Sequence, residues 1–264
     1  MDKVGWELKK DGQLLYYQCT ELNNQHLIQA VTTSSAGNMA LHTGDDVAKV
    51  IHNRELFLDK LGLNLDQLVA ASQIHGTNVV KVGAADLGKG SRTTDDLIPD
   101  TDGLISNVPG IILSIYTADC LPIFIYDQAT PAIGIVHAGW RGTIDMIVVK
   151  TLEKMRECFK TEPINCQIAI GPSICSQCFK VDPLLAERFA KLDPDSVSSQ
   201  RIRSEDQYYV DLVGFNTRLL LELGVSKDQI YCSNSCTCCQ PELLFSHRLT
   251  GTHGRIMGII SLVE

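Results

Sequence analysis

The stretch from Ile111 to Phe159 reads IILSIYTADCLPIFIYDQATPAIGIVHAGWRGTIDMIVVKTLEKMRECF, and its texture decides the fold. Three apolar runs, Ile111 to Tyr116, Leu121 to Tyr126 and Ala132 to Val136, are each bounded by turn residues or a change of texture. Unbroken apolar runs of this length suit central strands covered on both faces. Beyond them Ile144, Ile147, Val148, Leu152, Met155 and Phe159 return at helical spacing, with Thr143 placed as N-cap and Gly139 and Gly142 just before it. Strand, glycine turn and helix are therefore contiguous.

Upstream, Val47, Val50, Ile51, Phe57, Leu58 and Leu61 predict an amphipathic helix between Asp45-Asp46 and Gly62. Gln67 to Ser72 and Val79 to Val82 read as short strands on either side of the turn His75-Gly76-Thr77-Asn78. The polar stretch Gly83 to Asp102 reads equally as a binding loop or as plain surface. Downstream come a strand (Ile164 to Ile170), a helix (Pro183 to Leu192), a strand (Tyr208 to Leu212), a helix (Phe215 to Leu223), and strands around Gln229 to Cys232 and Arg255 to Val263. There is no repeat and no linker. Hairpin-like pairs with intercalated helices, in place of strict βαβ alternation, predict an α+β domain with mixed sheets.

A chain of 264 residues fits one large domain or two small ones, and 44% hydrophobic residues supply ample core, which excludes disorder and coiled coil. A net charge of −8 without a dense Lys/Arg run argues against a nucleic-acid partner. The N-terminus lacks an apolar signal region, and the longest uncharged stretch, Gly103 to Ala118, is interrupted by Asn107, Pro109 and Gly110. A cytoplasmic protein with no membrane span is expected. In that setting the 10 cysteines should be free thiols, some of them functional.

Three segments each put one strong metal-binding side chain in a turn at a strand end: His75 in Gln73-Ile74-His75-Gly76, Cys120 in Thr117-Ala118-Asp119-Cys120, and His137 before Ala138-Gly139-Trp140-Arg141-Gly142. Two imidazoles and one thiolate form an open zinc set with a fourth position for water or substrate. Taken singly, each is as readily a buried thiol or a structural histidine. The Gly139 to Thr143 turn, opening a helix with Arg141 alongside, reads as an anion site or as a tight turn with a surface arginine. Asp119 and Asp102 are candidates to accept or deliver a proton, or turn residues.

These residues also carry a resemblance. His75-Gly76, Ala118-Asp119-Cys120-Leu121-Pro122 and His137-Ala138-Gly139-Trp140-Arg141-Gly142 are similar to the signature of the laccase-domain family, also called polyphenol-oxidase-like or peptidoglycan-editing-factor proteins. Asn38-Met39-Ala40-Leu41-His42-Thr43-Gly44-Asp45, Asp100-Thr101-Asp102-Gly103-Leu104, Gly171-Pro172-Ser173-Ile174, Cys236-Thr237 and Phe245-Ser246-His247-Arg248 resemble further family blocks in the same order. The resemblance implies a single α/β/β/α domain over residues 1–264, similar to the catalytic domain of cytotoxic necrotizing factor. It implies zinc on His75, Cys120 and His137, which with Asp119 would form the catalytic set, and a substrate or phosphate site at Asn38, Gly139, Arg141 and Gly142. The implied activity is purine nucleoside phosphorolysis with adenosine deaminase and methylthioadenosine phosphorylase activities, so the partners are a purine nucleoside and phosphate. The chain departs from the family pattern in a shortened loop, Thr32 to Gly37, and in Phe179, where a tyrosine is common.

Three other readings use the same residues. Copper in place of zinc, as in a laccase, needs more histidine than seven residues without a His-x-His pair provide. A cysteine hydrolase or amidase acting on a cell-wall precursor would use Cys120 as nucleophile with His137 or His75 as base. A structural metalloprotein would use Cys175, Cys178, Cys236 and Cys239, two C-x-x-C pairs separated by more than the usual gap. His42, His247 and His253 read as structural or surface residues.

Overall fold

The computed structural model describes residues 5–202, 205–251 and 254–263, so the first four residues and His253 lie outside it. In chain order the strands are β1 (Trp6–Asp11), β2 (Leu14–Cys19), β3 (Leu27–Thr32), β4 (Leu68–Val69), β5 (Val79–Lys81), β6 (Gly103–Ser106), β7 (Ile112–Thr117), β8 (Leu121–Asp127), β9 (Ala132–Ala138), β10 (Cys166–Ile170), β11 (Lys180–Val181), β12 (Val197–Ile202), β13 (Glu205–Val210), β14 (Ile230–Cys232) and β15 (Ile256–Leu262). The helices are α1 (Val47–Lys60), α2 (Trp140–Ile144), α3 (Ile147–Phe159), α4 (Pro183–Leu192), α5 (Leu212–Glu222) and α6 (His247–Thr250). One six-stranded sheet has the order β1-β2-β3-β15-β7-β4, a second β14-β10-β8-β9-β6-β5, and a small third β11-β13-β12. Both large sheets are mixed: β4 with β7, β5 with β6 and β10 with β14 run parallel among antiparallel neighbours.

Side-chain alternation explains the unbroken apolar runs. In β8, Ile123 and Ile125 point one way and pack with Val148, Leu152 and Met155 of α3, Phe189 of α4 and Phe215 of α5. Phe124 and Tyr126 point the other way and meet Leu113 and Ile115 of β7 across the gap between the sheets. The outer face of the first sheet, through Ile112, Met257 and Ile259, packs on Phe57 and Leu58 of α1. The order is thus helix, sheet, sheet, helices, and every strand near the middle is covered twice. Each such side chain, fully withdrawn from water, stabilises the fold by roughly 1.5–3 kcal/mol before entropy is counted.

The structure refines or corrects the sequence reading in four places. The three runs, read as central strands without a sheet assignment, divide between the sheets: the first is β7 of one sheet, whereas the other two pair as a hairpin in the second. The strands flanking His75 likewise belong to different sheets, so His75 sits on a crossing link and not in a hairpin. Thr143 is no N-cap: Gly139, extended at φ −75° and ψ 177°, accepts from Thr143 N, so the glycine segment is itself the first turn of α2. Met146, left-handed at φ 59°, then breaks the helix before α3. Strands β1 to β3 are the fourth, absent from the sequence reading although Asp11-Gly12, with Gly12 at φ 62°, marks the hairpin between β1 and β2.

The polar stretch before β6 is fastened down. Arg54 of α1, 1% exposed, donates to the carbonyls of Met39, Gly90 and Ser91 and stacks over Tyr116 at 4.7 Å. Ala70 and Ile98 exchange further backbone hydrogen bonds with and along this segment.

Candidate metal centre

The link from β4 to β5 and the link from β7 to β8 both carry the chain from the first sheet to the second. His75 lies on the first link and Cys120 on the second. Leu121 pairs with Ala138, which sets Cys120 against the end of β9, where His137 lies on the face that Ile133 and Ile135 turn toward the first sheet. One ligand atom from each of His75, Cys120 and His137 comes within 4.8 Å of the others. The two imidazoles meet edge-on with centroids 4.8 Å apart.

One buried carboxylate orients this group. Asp102 Oδ1 accepts from His137 Nδ1 at 2.7 Å and from His75 N at 3.0 Å. Its Oδ2 accepts from Ile74 N at 3.1 Å and Gly76 N at 2.7 Å. The carboxylate so holds the link at His75, whose backbone is left-handed at φ 60°, and leaves Nε2 as the His137 nitrogen available to Cys120. Burial works against the charge on Asp102, but His137 and these amides hold it below the usual carboxylate range. Burial also opposes a Cys120 thiolate, yet the neighbouring His137 and His75 imidazoles bring the thiol down to about 6. Burial alone would lower His137, whereas Cys120 and Asp102 raise it to about 9.

Gly139 leaves room for these donors. A Cβ there would stand 3.0 Å from both Cys120 Sγ and His75 Cδ2, closer than side chains normally pack. Donor types, mutual spacing and this relief fit a thiophilic metal with one position left open. Gly139→Ala should therefore weaken metal binding about 10- to 100-fold, as disturbed ligand support does elsewhere. Competition against a chelator, with circular dichroism to confirm the fold, measures this; unchanged affinity would show that the Cβ is accommodated without moving the ligands.

The group lines a cleft of about 420 Å³. Arg141, Arg248 and Arg255 line it, three cationic groups on a chain whose net charge is −8, together with the imidazoles of His42 and His247. Trp140, Phe179 and Tyr116 give it aromatic walls. Arg141 stacks on Trp140 at 4.2 Å and Arg248 on Phe179 at 5.0 Å. Burial, then Arg255 and Arg54, hold the His42 imidazole below its ordinary value. A smaller pocket of about 210 Å³ adjoins the cleft and shares His42, Gln73 and Tyr116 with it.

Residues 29–263 match the family described as multi-copper polyphenol oxidoreductase laccase. The chain belongs to that family. It is 33% identical to purine nucleoside phosphorylase YlmD of Bacillus subtilis (strain 168), over 93% of this chain and 92% of that one. It is 30% identical to adenosine deaminase RL5 of an unknown prokaryotic organism, over 82% and 83% of the two chains. The crystal structure of YlmD from Geobacillus stearothermophilus superposes with a TM-score of 0.88 at 30% identity, covering 97% of this chain and 99% of that one.

For this family member, the structure gathers some of the residues singled out in the sequence and disperses others. His75, Cys120, His137, Gly139 and Arg141 converge on the cleft. Gly142 is buried against the Gly76 carbonyl, where a Cβ would come within 3.2 Å, and does not line the cleft. Asn38 lies beside a different pocket, its amide tied to Ala40, Thr43 and Arg255 N. Asp119, left-handed at φ 87°, borders the cleft, but its carboxylate accepts from Thr237 Oγ1 at 2.6 Å, Ser246 Oγ at 2.7 Å and Arg248 N at 2.7 Å. His42 and His247, read as structural, line the cleft without joining the ligand group. Sequence reasoning misses Arg248 and Arg255 as site residues. Arg255, just ahead of the apolar β15, has the same strand-end position that singled out His75, Cys120 and His137. The family description names copper, yet the described residues hold only two groups of three or more metal donors, and this one has two histidines, too few for a multi-copper cluster.

Proposed function

We propose that this chain is a zinc-dependent purine nucleoside phosphorylase, acting on adenosine, inosine, guanosine and methylthioadenosine, that also deaminates adenosine. In this reading it works in the cytoplasm as one domain over residues 1–264, without nucleic-acid or membrane partners. Among the described residues no helix is long and apolar enough to cross a membrane. The observation that carries the proposal is the His75–Cys120–His137 group inside a cleft with aromatic walls and a cationic mouth. The two activities are those named for the relatives.

His75, Cys120 and His137 would hold the zinc, a donor set of mixed imidazole and thiolate that suits this ion. Bound there, zinc supplies Lewis-acid stabilisation of negative charge that develops during the reaction. The aromatic side chains take the purine face, and Arg141 with its cationic neighbours takes phosphate. In phosphorolysis a phosphate oxygen bonds to the ribose carbon as the bond to the purine nitrogen breaks; its electron pair leaves with the base, which takes up a proton. In deamination water adds at the amino-bearing ring carbon and ammonia departs. Asp102 and Asp119, each held by internal donors, position the loops, and Asp119 also borders the cleft.

Adenosine with isotope-labelled phosphate should give adenine and labelled ribose 1-phosphate. Unlabelled sugar from every purine nucleoside, with the metal fully bound, would overturn the phosphorylase assignment. Arg141→Ala should weaken phosphate binding by about 10- to 150-fold, the worth of one charge-assisted contact. Deamination, which uses no phosphate, should change much less; equal loss of both would place Arg141 in the nucleoside site.

A second reading rests on one observation. Cys120, His137 and Asp102 form a thiolate, imidazolium and carboxylate chain of the kind that activates a nucleophilic cysteine. A cysteine hydrolase or amidase of a cell-wall precursor would use it without metal.

A further inference from the structure

The two C-x-x-C pairs stand too far apart in sequence for the usual four-cysteine motif, and the fold removes that objection. β10 and β14 are parallel neighbours with Ile170 opposite Cys232, so their C-terminal loops leave the same sheet edge. The pairing runs on beyond the strands, where Ser173 N donates to Ser235 O and Thr237 N donates to Ser173 O. Cys175 then meets Cys236, and Cys178 meets Cys239, each pair 61 residues apart in the chain. The two loops turn alike: Phe179 N donates to Cys175 O, and Gln240 N donates to Cys236 O, both at 3.0 Å.

All four sulfurs lie within 4.8 Å of one another, with Cys178 and Cys239 3.5 Å apart. A tetrahedral ion with bonds of about 2.3 Å needs sulfurs about 3.8 Å apart, inside that spread. Cys175 N donates to Cys236 Sγ at 3.3 Å, a contact that favours thiolate over thiol. Neutral thiols make only weak hydrogen bonds and give no reason for two matched loops to converge. We propose that Cys175, Cys178, Cys236 and Cys239 form a closed four-thiolate zinc site, distinct from the His75–Cys120–His137 group.

Such a site has no open position and serves structure. What it supports follows from its place, because Ile174 and Phe179, flanking the first loop, line the cleft, and Thr237 of the second loop holds Asp119 beside Cys120. The ion would staple together the wall of the cleft farthest from β4 and β5 in the sheet order.

Metal analysis of protein purified under reductant, without added metal, tests this. The unmodified chain should carry about two zinc ions, and the Cys120→Ala and Cys178→Ser/Cys239→Ser variants about one each. Cobalt(II) added to metal-free Cys120→Ala protein should give the intense visible bands and thiolate charge-transfer absorption of a tetrahedral four-sulfur site. Should the double variant fail to fold, a mercurial titration of the unmodified protein replaces it, with zinc released in step with four protected thiols. Zinc absent from Cys120→Ala, or undiminished in Cys178→Ser/Cys239→Ser, would overturn the site. So would an intact mass showing these cysteines joined as disulfides. Because the count is taken without Cys120, this outcome is independent of whether the chain proves to be a phosphorylase.

Discussion

Cys120→Ala should strip the metal from the cleft and lower kcat/KM for phosphorolysis and deamination together. A Lewis-acid contribution of several kcal/mol, at about 1.4 kcal/mol per tenfold, sets the loss at roughly a thousandfold or more. The thiolate is the one anionic donor of the group, and its loss leaves two imidazoles, of which Asp102 supports the His137 ring directly and His75 only through its backbone amide. Metal content and both rates, measured on the same preparation, should fall in parallel. The cysteine-hydrolase reading predicts a different pattern. In that case Cys120→Ala is inactive while the unmodified protein stays active after chelation has removed zinc and copper. Activity that persists in Cys120→Ala at more than about a tenth of the normal rate would remove Cys120 from either mechanism.

The central strands were legible, and the three residues of the candidate metal group could be singled out, because each rests on a local property. β7, β8 and β9 announce themselves by apolar runs that only double coverage explains, and α4 is marked at its start by Asp182-Pro183. Sheet membership was not legible. Nothing in Thr117 to Cys120 says that the chain changes sheets there; Asp119 adopts a left-handed backbone to do it, and the hydrogen bonds that hold it come from Thr237, Ser246 and Arg248, more than a hundred residues away. The four-cysteine group could be named from its two C-x-x-C pairs, but its closure across 61 residues could not be read, because it depends on the parallel pairing of β10 with β14. Asn38 shows the opposite error. Its place in a family-like block suggested a ligand contact, but its short amide is spent on the turn it caps and on the start of β15, which is what asparagine in a tight turn commonly does.

Local strain follows the same division. Of the non-glycine residues at positive φ, His75 and Asp119 line the cleft. Each departs from the preferred backbone regions at a cost of order 1–3 kcal/mol, which the surrounding hydrogen bonds must offset. Asp102 supplies that compensation for His75, and the Thr237, Ser246 and Arg248 donors supply it for Asp119. The acids singled out in the sequence as proton carriers also brace the two links that cross between the sheets.

Asp102→Asn tests that bracing role. The amide keeps the shape of the carboxylate but turns one oxygen into a donor, and both sides of Asp102 already face donors: His137 Nδ1 and His75 N on one, Ile74 N and Gly76 N on the other. Neither orientation of the amide avoids a donor set against a donor. At least one buried N–H is left unsatisfied, a cost of about 1–3 kcal/mol, and the melting temperature should fall by roughly 2–12 °C. Metal affinity should fall about 10- to 100-fold, as it does when the orienting partner of a histidine ligand is lost. The charge balance of the metal-free protein gives a readout that instability alone would not move. Without the carboxylate, His137 drops from about 9, and Cys120, having lost part of its imidazolium partner, rises from about 6 toward the ordinary thiol range. Alkylation of Cys120 by iodoacetamide follows the thiolate, so its pH midpoint should move upward and its rate at pH 7 should fall. A variant that melts lower yet keeps the same alkylation midpoint would make Asp102 a brace for the His75 link alone, with no hold on the charge of His137.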